Sequence, residues 1–319
     1  MERNVKDKLI LTGISGSAEM SKIYFAPMEG ITTPVYRKVH KKYYSGVDRY
    51  FSPFIVVTST HNLKKRETRE YIPFEENMTP QILTSGGGDF AWAAKMLKGL
   101  GYREVNLNLG CPAATVVTKG KGAGLLRDKD KLRRFFEDTF SESDLPDISI
   151  KTRCGFVYHD EAEELAEIFA DYPFKEIIVH PRVREEFYQG TPDLKSFDII
   201  KSKVKCPVVY NGDIFDVHSL KECLEKEDGV MLGRGLLRNP MLAEGKEFDV
   251  KDGRIEDFLD ELYDGYIRIM SGERDVLFKL KELWTYLITG FPGRDEDYKR
   301  LMKASTGTEY KAAVRRIVE

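Results

Sequence analysis

The chain has 319 residues, a formal net charge of −2, 41% apolar and 32% charged residues, a balance that excludes extended disorder and any global field for a polyanion. No apolar run approaches the roughly 18 residues that cross a bilayer, and the N-terminal MERNVKDKLILTG lacks the apolar core and cleavage site of a secretory signal. The four cysteines, Cys111, Cys154, Cys206 and Cys223, form no CxxC pair, which argues against a metal site and fits a reducing cytoplasm.

Short β-rich runs recur up to residue 234: KIYFAP (22–27), FSPFIVV (51–57), PQILTS (80–85), REVNLNL (103–109), DISIKTR (147–153), EIIVH (176–180), CPVVYNG (206–212) and DGVMLGR (228–234). Amphipathic stretches such as FAWAAKMLKGLGY and EAEELAEIFADYP lie between them at helical spacing. Short apolar strands of this kind suit a buried parallel sheet. Eight such units in about 215 residues predict a closed (β/α)8 TIM barrel over an open doubly wound sheet. From Arg254 the pattern is helical only: RIEDFLDELYDGYIRIM, DVLFKLKELWTYLITGF, then the basic DYKRLMKASTGTEYKAAVRRIVE. The expected division is a barrel over 1–244 and a small all-helical domain over 245–319, in a monomer.

Barrel sites lie at the C-terminal strand ends. The first strand ends in Pro27-Met28-Glu29-Gly30, and the third carries Gln81. Asn106, Asn108 and Cys111 follow on the fourth, Lys151 and Arg153 on the fifth, His180 and Arg182 on the sixth. Asn211-Gly212-Asp213 closes the seventh and Gly233-Arg234-Gly235 the eighth. The strand interiors read as Val, Ile and Leu, so this polar ring predicts one site.

The NGD and GRG turns expose backbone N–H groups beside the fixed charge of Arg234, where barrels commonly hold a phosphate; a phosphorylated cofactor or substrate is expected. Lys151 and Arg153 flank Thr152 and so share one face, pointing into the barrel mouth. A lysine there needs an anionic partner. GKGAG (120–124) is neither a P-loop nor a GxGxxG unit. Its glycines are expected to let the loop bend, with Lys119 and Lys121 either offered to a polyanion or simply solvated. Cys111, set between Gly110 and Pro112 at a strand end, reads as a functional thiol. With an ordinary pKa of about 8.5 it can donate a proton or attack as thiolate, and the residues alone leave both roles open. The other cysteines read as structural, and His40, His61, His159 and His218 as surface residues.

Taken together, NLNLGCP with VxxKGKGAGLLRD, APMEG, KTRCG, HPR…Y, YNGD and MLGRG resemble the tRNA-dihydrouridine synthases, in register across the whole barrel. His180-Pro181-Arg182 replaces the commoner His-Gly-Arg of that family. The resemblance implies FMN over the mouth, with Pro27 and Met28 backing the ring, Gln81 on its polar edge, Lys151 near N1/O2 and His180 holding the cofactor. It implies ribityl and phosphate contacts from Asn211, Gly212, Asp213, Gly233 and Arg234, and NADPH as reductant. The uridine would be flipped from tRNA, its edge met by Asn108, Arg153 and Tyr188. Hydride would pass from flavin N5 to C6 and a proton from Cys111 to C5. Lys119 and the tail residues Lys299, Arg300, Lys303, Arg315 and Arg316 would contact tRNA. Two alternatives remain open: a flavin barrel acting on a free pyrimidine, as in dihydroorotate or dihydropyrimidine dehydrogenases, and a flavin-stabilised tRNA-binding or folding protein with little turnover.

Overall fold

A computed structural model describes residues 21–319; the stretch MERNVKDKLILTG lies outside the described residues. Ten parallel strands form one sheet: β1 (Lys22–Phe25), β2 (Arg49–Phe51), β3 (Ile55–Val56), β4 (Met78–Thr79), β5 (Gln81–Leu83), β6 (Glu104–Leu109), β7 (Asp147–Gly155), β8 (Ile177–Val183), β9 (Val208–Tyr210) and β10 (Gly229–Leu232). Their order is β3-β5-β6-β7-β8-β9-β10-β1-β2-β4. The two ends of that order meet. β2 pairs with β4 through Tyr50↔Met78, and β3 pairs with β5 through Ile55↔Ile82. Only Pro80 divides β4 from β5, and only residues 52–54, with Pro53 among them, divide β2 from β3. Proline has no N–H for a ladder, so each pair is one stave with a break. The ten strands are eight staves of a closed (β/α)8 barrel.

Helices follow the staves: α1 (Pro34–Tyr43), α2 (Lys65–Thr68), α3 (Gly87–Gly99), α4 (Ala114–Val117), α5 (Lys129–Phe140), α6 (Glu161–Ala170), α7 (Leu194–Lys203), α8 (Val217–Lys226) and α9 (Arg234–Arg238). Asp128, Asp193 and Asp216 cap α5, α7 and α8 by accepting from the N–H three residues on, which satisfies donors the helix leaves open. The helical region then adds α10 (Arg254–Ile267), α11 (Glu273–Leu287), α12 (Asp295–Lys303) and α13 (Gly307–Val318). It rests on the barrel through α10, whose fully buried Phe258 makes edge contacts with Tyr36, His40, Tyr43 and Tyr44. One apolar core runs from Ile23 to Ile317, so barrel and helices are packed as a unit.

The barrel interior corrects the expectation of purely aliphatic staves. Strand alternation sends Val105, Leu107 and Leu109 outward to the core and Glu104, Asn106 and Asn108 inward. Arg49 donates to both oxygens of Glu104 (2.9 Å each) and to Glu176 (3.1 Å), and Tyr24 donates to Glu176 (2.8 Å). A small apolar plug of Tyr24, Ala26, Phe51, Ile178, Val209 and Met231 fills the rest. His40 is likewise not at the surface. It is fully buried, bonded through Nδ1 to Tyr50 Oη at 2.8 Å, and desolvation drives its pKa down to about 3. Its place on the inner face of α1, beneath Phe258, puts it in the seam between barrel and helices.

Candidate active site

A cavity of about 290 Å³ opens at the C-terminal ends of the strands. Pro27 and Met28 reach it from the end of β1, Gln81 from β5, and Asn108 and Cys111 from β6 and its turn. Lys151 and Arg153 come from β7, His180 from β8, and Tyr188 from the loop beyond. Asn211, Gly212 and Asp213 follow β9, and Gly233 and Arg234 follow β10. Every barrel residue expected to bind cofactor or substrate or to donate the proton, except Lys119, therefore lines one cavity, together with Glu29; Gly30, Asn106 and Arg182 of the polar ring do not. Lys119 is exposed outside it, and so are Lys299, Arg300, Lys303, Arg315 and Arg316 on α12 and α13.

The Cys111 turn is held by an unbroken run of hydrogen bonds along the barrel interior. Ser149 donates to Glu104 (2.8 Å), Asn106 to Ser149 (2.9 Å), Gln81 to Asn106 (2.8 Å) and Asn108 to Gln81 (2.8 Å). Asn108 Oδ1 then accepts from the N–H groups of Gly110 (3.1 Å) and Cys111 (2.9 Å). Burial pushes the Cys111 thiol above its ordinary pKa, against the opposing pull of Arg153 and Lys151, so the protonated form prevails at neutral pH. The loop beyond is packed against the turn. Gly122, at φ +55°, brings its α-carbon so close to the turn that a Cβ there would lie 3.0 Å from the Cys111 carbonyl oxygen. Residues 122–127 form a 3-10 turn with Ala123, Leu125 and Leu126 fully buried. Lys121, a candidate for a polyanion, is buried and donates to Val57 O at 3.0 Å.

Arg153 lines the cavity and is tied to three backbone carbonyls. Its guanidinium donates to Gly110 O (2.9 Å), Val183 O (2.9 Å) and Phe187 O (2.8 Å), clamping the cysteine turn to the loop after β8. Lys151, by contrast, has no hydrogen bond or ion pair among the described residues. Desolvation, reinforced by the charge of Arg153, lowers its amine to about 7. His180 is kept neutral: burial, then Lys151 and Arg153, push it well below the usual imidazole range. Its Nδ1 donates to Asn211 O (2.6 Å), and its Nε2 accepts from Arg182 (3.3 Å). Arg182, fully buried, and Arg234 both bind the Asp213 carboxylate, Arg234 at 2.7 Å. Arg182 and Asn106 organise the site without having been given a role from sequence. Their signal was there, in the alternation of EVNLNL and in the polar His-Pro-Arg strand end.

Among the described residues no cluster of three or more His, Cys, Asp or Glu could hold a metal ion, and no helix is long and apolar enough to cross a membrane. The 2.1 Å structure of histamine dehydrogenase from Rhizobium sp. 4-9 superposes with a TM-score of 0.52 at 13% identity, covering 82% of this chain and 49% of that one. A 2-naphthoyl-CoA reductase complex gives 0.50 at 12% identity over 74% of this chain and 51% of that one. These likenesses concern the barrel fold. Sequence relatives are nearer. A probable tRNA-dihydrouridine synthase of Rickettsia conorii is 33% identical over 248 residues, 75% of this chain and 73% of the relative. One of Rickettsia bellii is 32% identical over 272 residues, 80% and 82% of the two chains. The family model described as Dihydrouridine synthase (Dus) matches residues 24–273, from the first barrel strand into α11. With the motifs of every strand end inside that span, the chain belongs to the dihydrouridine synthase family.

Proposed function

We propose that this protein reduces the 5,6 double bond of a uridine in tRNA, with FMN as its bound carrier, NADPH as reductant and Cys111 as the acid. The observation that carries this reading is the unpartnered amine of Lys151 in a cavity where Gln81, Asn108, Arg153, His180, Asn211 and Arg234 are all hydrogen-bonded within the protein. Such a group calls for a ligand edge rich in acceptors. The cavity suits a flavin in other respects. Pro27 and Met28 offer an apolar wall, and at Gly233 a Cβ would stand only 3.4 Å from Met28 Sδ, so the bare glycine leaves room there. Lys151, Gln81 and His180 would hold the ring system, and Asn211, Gly212, Asp213, Gly233 and Arg234 the ribityl phosphate, with Arg234 exchanging Asp213 for phosphate. When bound, the flavin supplies the hydride for uracil C6.

The chain's own residues do the rest. Cys111 keeps its proton because its surroundings are desolvated, and it delivers that proton to C5. Asn108 fixes the turn that carries the thiol, and Tyr188 offers a ring at the mouth for the flipped base. Residues 245–319 serve as the RNA-binding unit beside the barrel. The test is mass spectrometry of tRNA from a strain lacking the gene, after incubation with the purified protein, FMN and NADPH. A uridine at a defined position that gains two hydrogens supports the reading. Reduction of free uracil or orotate with tRNA untouched overturns it.

A further inference from the structure

Two loops at the barrel mouth, 156–160 after β7 and 184–188 after β8, carry Val157, Tyr158, Phe187 and Tyr188 with their apolar side chains open to solvent. Soluble surfaces usually scatter such residues singly. Here the loops are bonded into one surface: Glu185 N donates to Phe156 O (3.2 Å), and Glu186 pairs with His159 (3.0 Å). Arginines alternate with the rings. Arg127 lies over Phe156 at 4.6 Å, and Arg184 spans Phe156 and Phe187 at 5.6 and 5.0 Å. Arg153 and Arg234 stand over Tyr188 at 5.6 and 4.9 Å. Tyr188 also lines the catalytic cavity, so the strip leads outward from it.

Phe187 is displayed by a strained backbone. Its φ of +53° with ψ −95° is a conformation that side-chain-bearing residues avoid. Arg153 holds it there by bonding Phe187 O, and Phe187 N donates to Arg184 O at 3.1 Å. A glycine would sit there without strain, yet the ring is kept and is 41% exposed. Beside it, Arg184 Nη1 pairs with Glu185 at 2.7 Å, while Arg184 Nε is buried with no hydrogen-bond partner, so a phosphate there would compete with one exposed carboxylate.

We propose that this strip is a subsite for the RNA that flanks the reduced uridine, with Phe187 stacking on an adjacent base and Arg184 meeting the intervening phosphate. Ring faces accept any base, and a planar guanidinium suits phosphate, so alternating rings and arginines fit single-stranded RNA. The inference rests on the reading of the chain as a tRNA-uridine reductase. In the FMN-loaded full chain, Phe187→Leu keeps the apolar bulk but removes the ring face. It should raise KM for tRNA roughly tenfold, the scale of one lost base stack, with the loss falling on KM more than kcat. Phe187→Gly relieves the backbone, so a folding defect cannot explain the same rise in KM. Phe187→Trp should restore KM and place a fluorophore whose emission a uridine-containing single-stranded RNA oligonucleotide quenches. An active wild type with unchanged KM in the Leu and Gly variants, or tryptophan emission indifferent to RNA, overturns the subsite. A wild type that makes no dihydrouridine sinks the reductase reading instead, while the quenching measurement still decides the strip.

Discussion

Cys111 and Lys151 face the same cavity with opposite departures from their ordinary acidity, and one cause, loss of water, drives both. Desolvation raises the thiol and lowers the amine, because in each case the neutral form is the cheaper one to bury. Cys111→Ala should therefore retain FMN yet reduce tRNA about 10²- to 10⁴-fold more slowly, the usual weight of one positioned acid. Single-turnover assays of the FMN-loaded variant measure this, and rates equal to wild type would remove the acid role. Because the thiol pKa is raised, the fall in wild-type activity from thiol ionisation should appear only on the alkaline side of neutrality. Lys151 makes a separate prediction. In the ligand-free chain its amine, at about 7, lies well below the roughly 10.4 of an unfolded lysine. Between those values the unfolded chain binds more protons, so stability should rise with pH across that window. Thermal melts of Lys151→Met should lose this slope; an identical slope in wild type and variant would contradict it.

At the level of elements, β6 does two jobs through its two faces. Val105, Leu107 and Leu109 bind the barrel to its helices, while Glu104, Asn106 and Asn108 form a polar column from the charged floor to the cysteine turn. Asn106 is the middle of that column, and among the described residues its side chain is hydrogen-bonded to the cavity lining through Gln81. Asn106→Leu would leave the Gln81 amide donor buried and unpaired, at a cost of about 1–3 kcal/mol. It should also lower tRNA turnover, because Gln81 loses the partner that fixes its rotation and, through Gln81, so does the amide of Asn108. Denaturant unfolding and kcat on the same preparation check both halves; loss of stability with intact kcat would show the column to be structural only. The run REVNLNL made the alternation readable. Sequence did not reveal that Ser149 and Glu104, on neighbouring strands, would complete the column, because that depends on the β6–β7 register of Asn106 against Ser149.

Across the whole molecule, the helical region and barrel share one core, so the basic tail is held at a fixed place relative to the cavity. The tail cations are not equivalent. Lys299 and Arg300 pair with Glu296 and Asp297 one turn back, and Arg315 lies 3.5 Å from Glu256. Exposed pairs of this kind contribute about 0–1 kcal/mol, so phosphate can displace them, but only against a competing carboxylate. Lys303 and Arg316 are exposed with no ion pair among the described residues. Replacing these two with Gln should weaken tRNA binding and flatten its salt dependence by about 1–2 units of slope, each cation releasing a counterion. The same change at Lys299 and Arg300 should do less. Binding isotherms over a salt series measure the difference, and equal slopes in all three proteins would leave the tail as solvated surface. What the sequence determined by itself were features carried by local pattern: eight strand–helix units, the polar strand ends and the helical stretch from Arg254, each set by periodicity within one segment. Tertiary structure decided what depends on partners distant in the chain. It buried His40 beneath Phe258, closed ten strands into eight staves across two prolines, packed the 120–124 glycines into a turn, and bonded Arg153 to three backbone carbonyls as a clamp. Periodicity encodes which face a residue shows. Only the closed barrel determines what stands opposite.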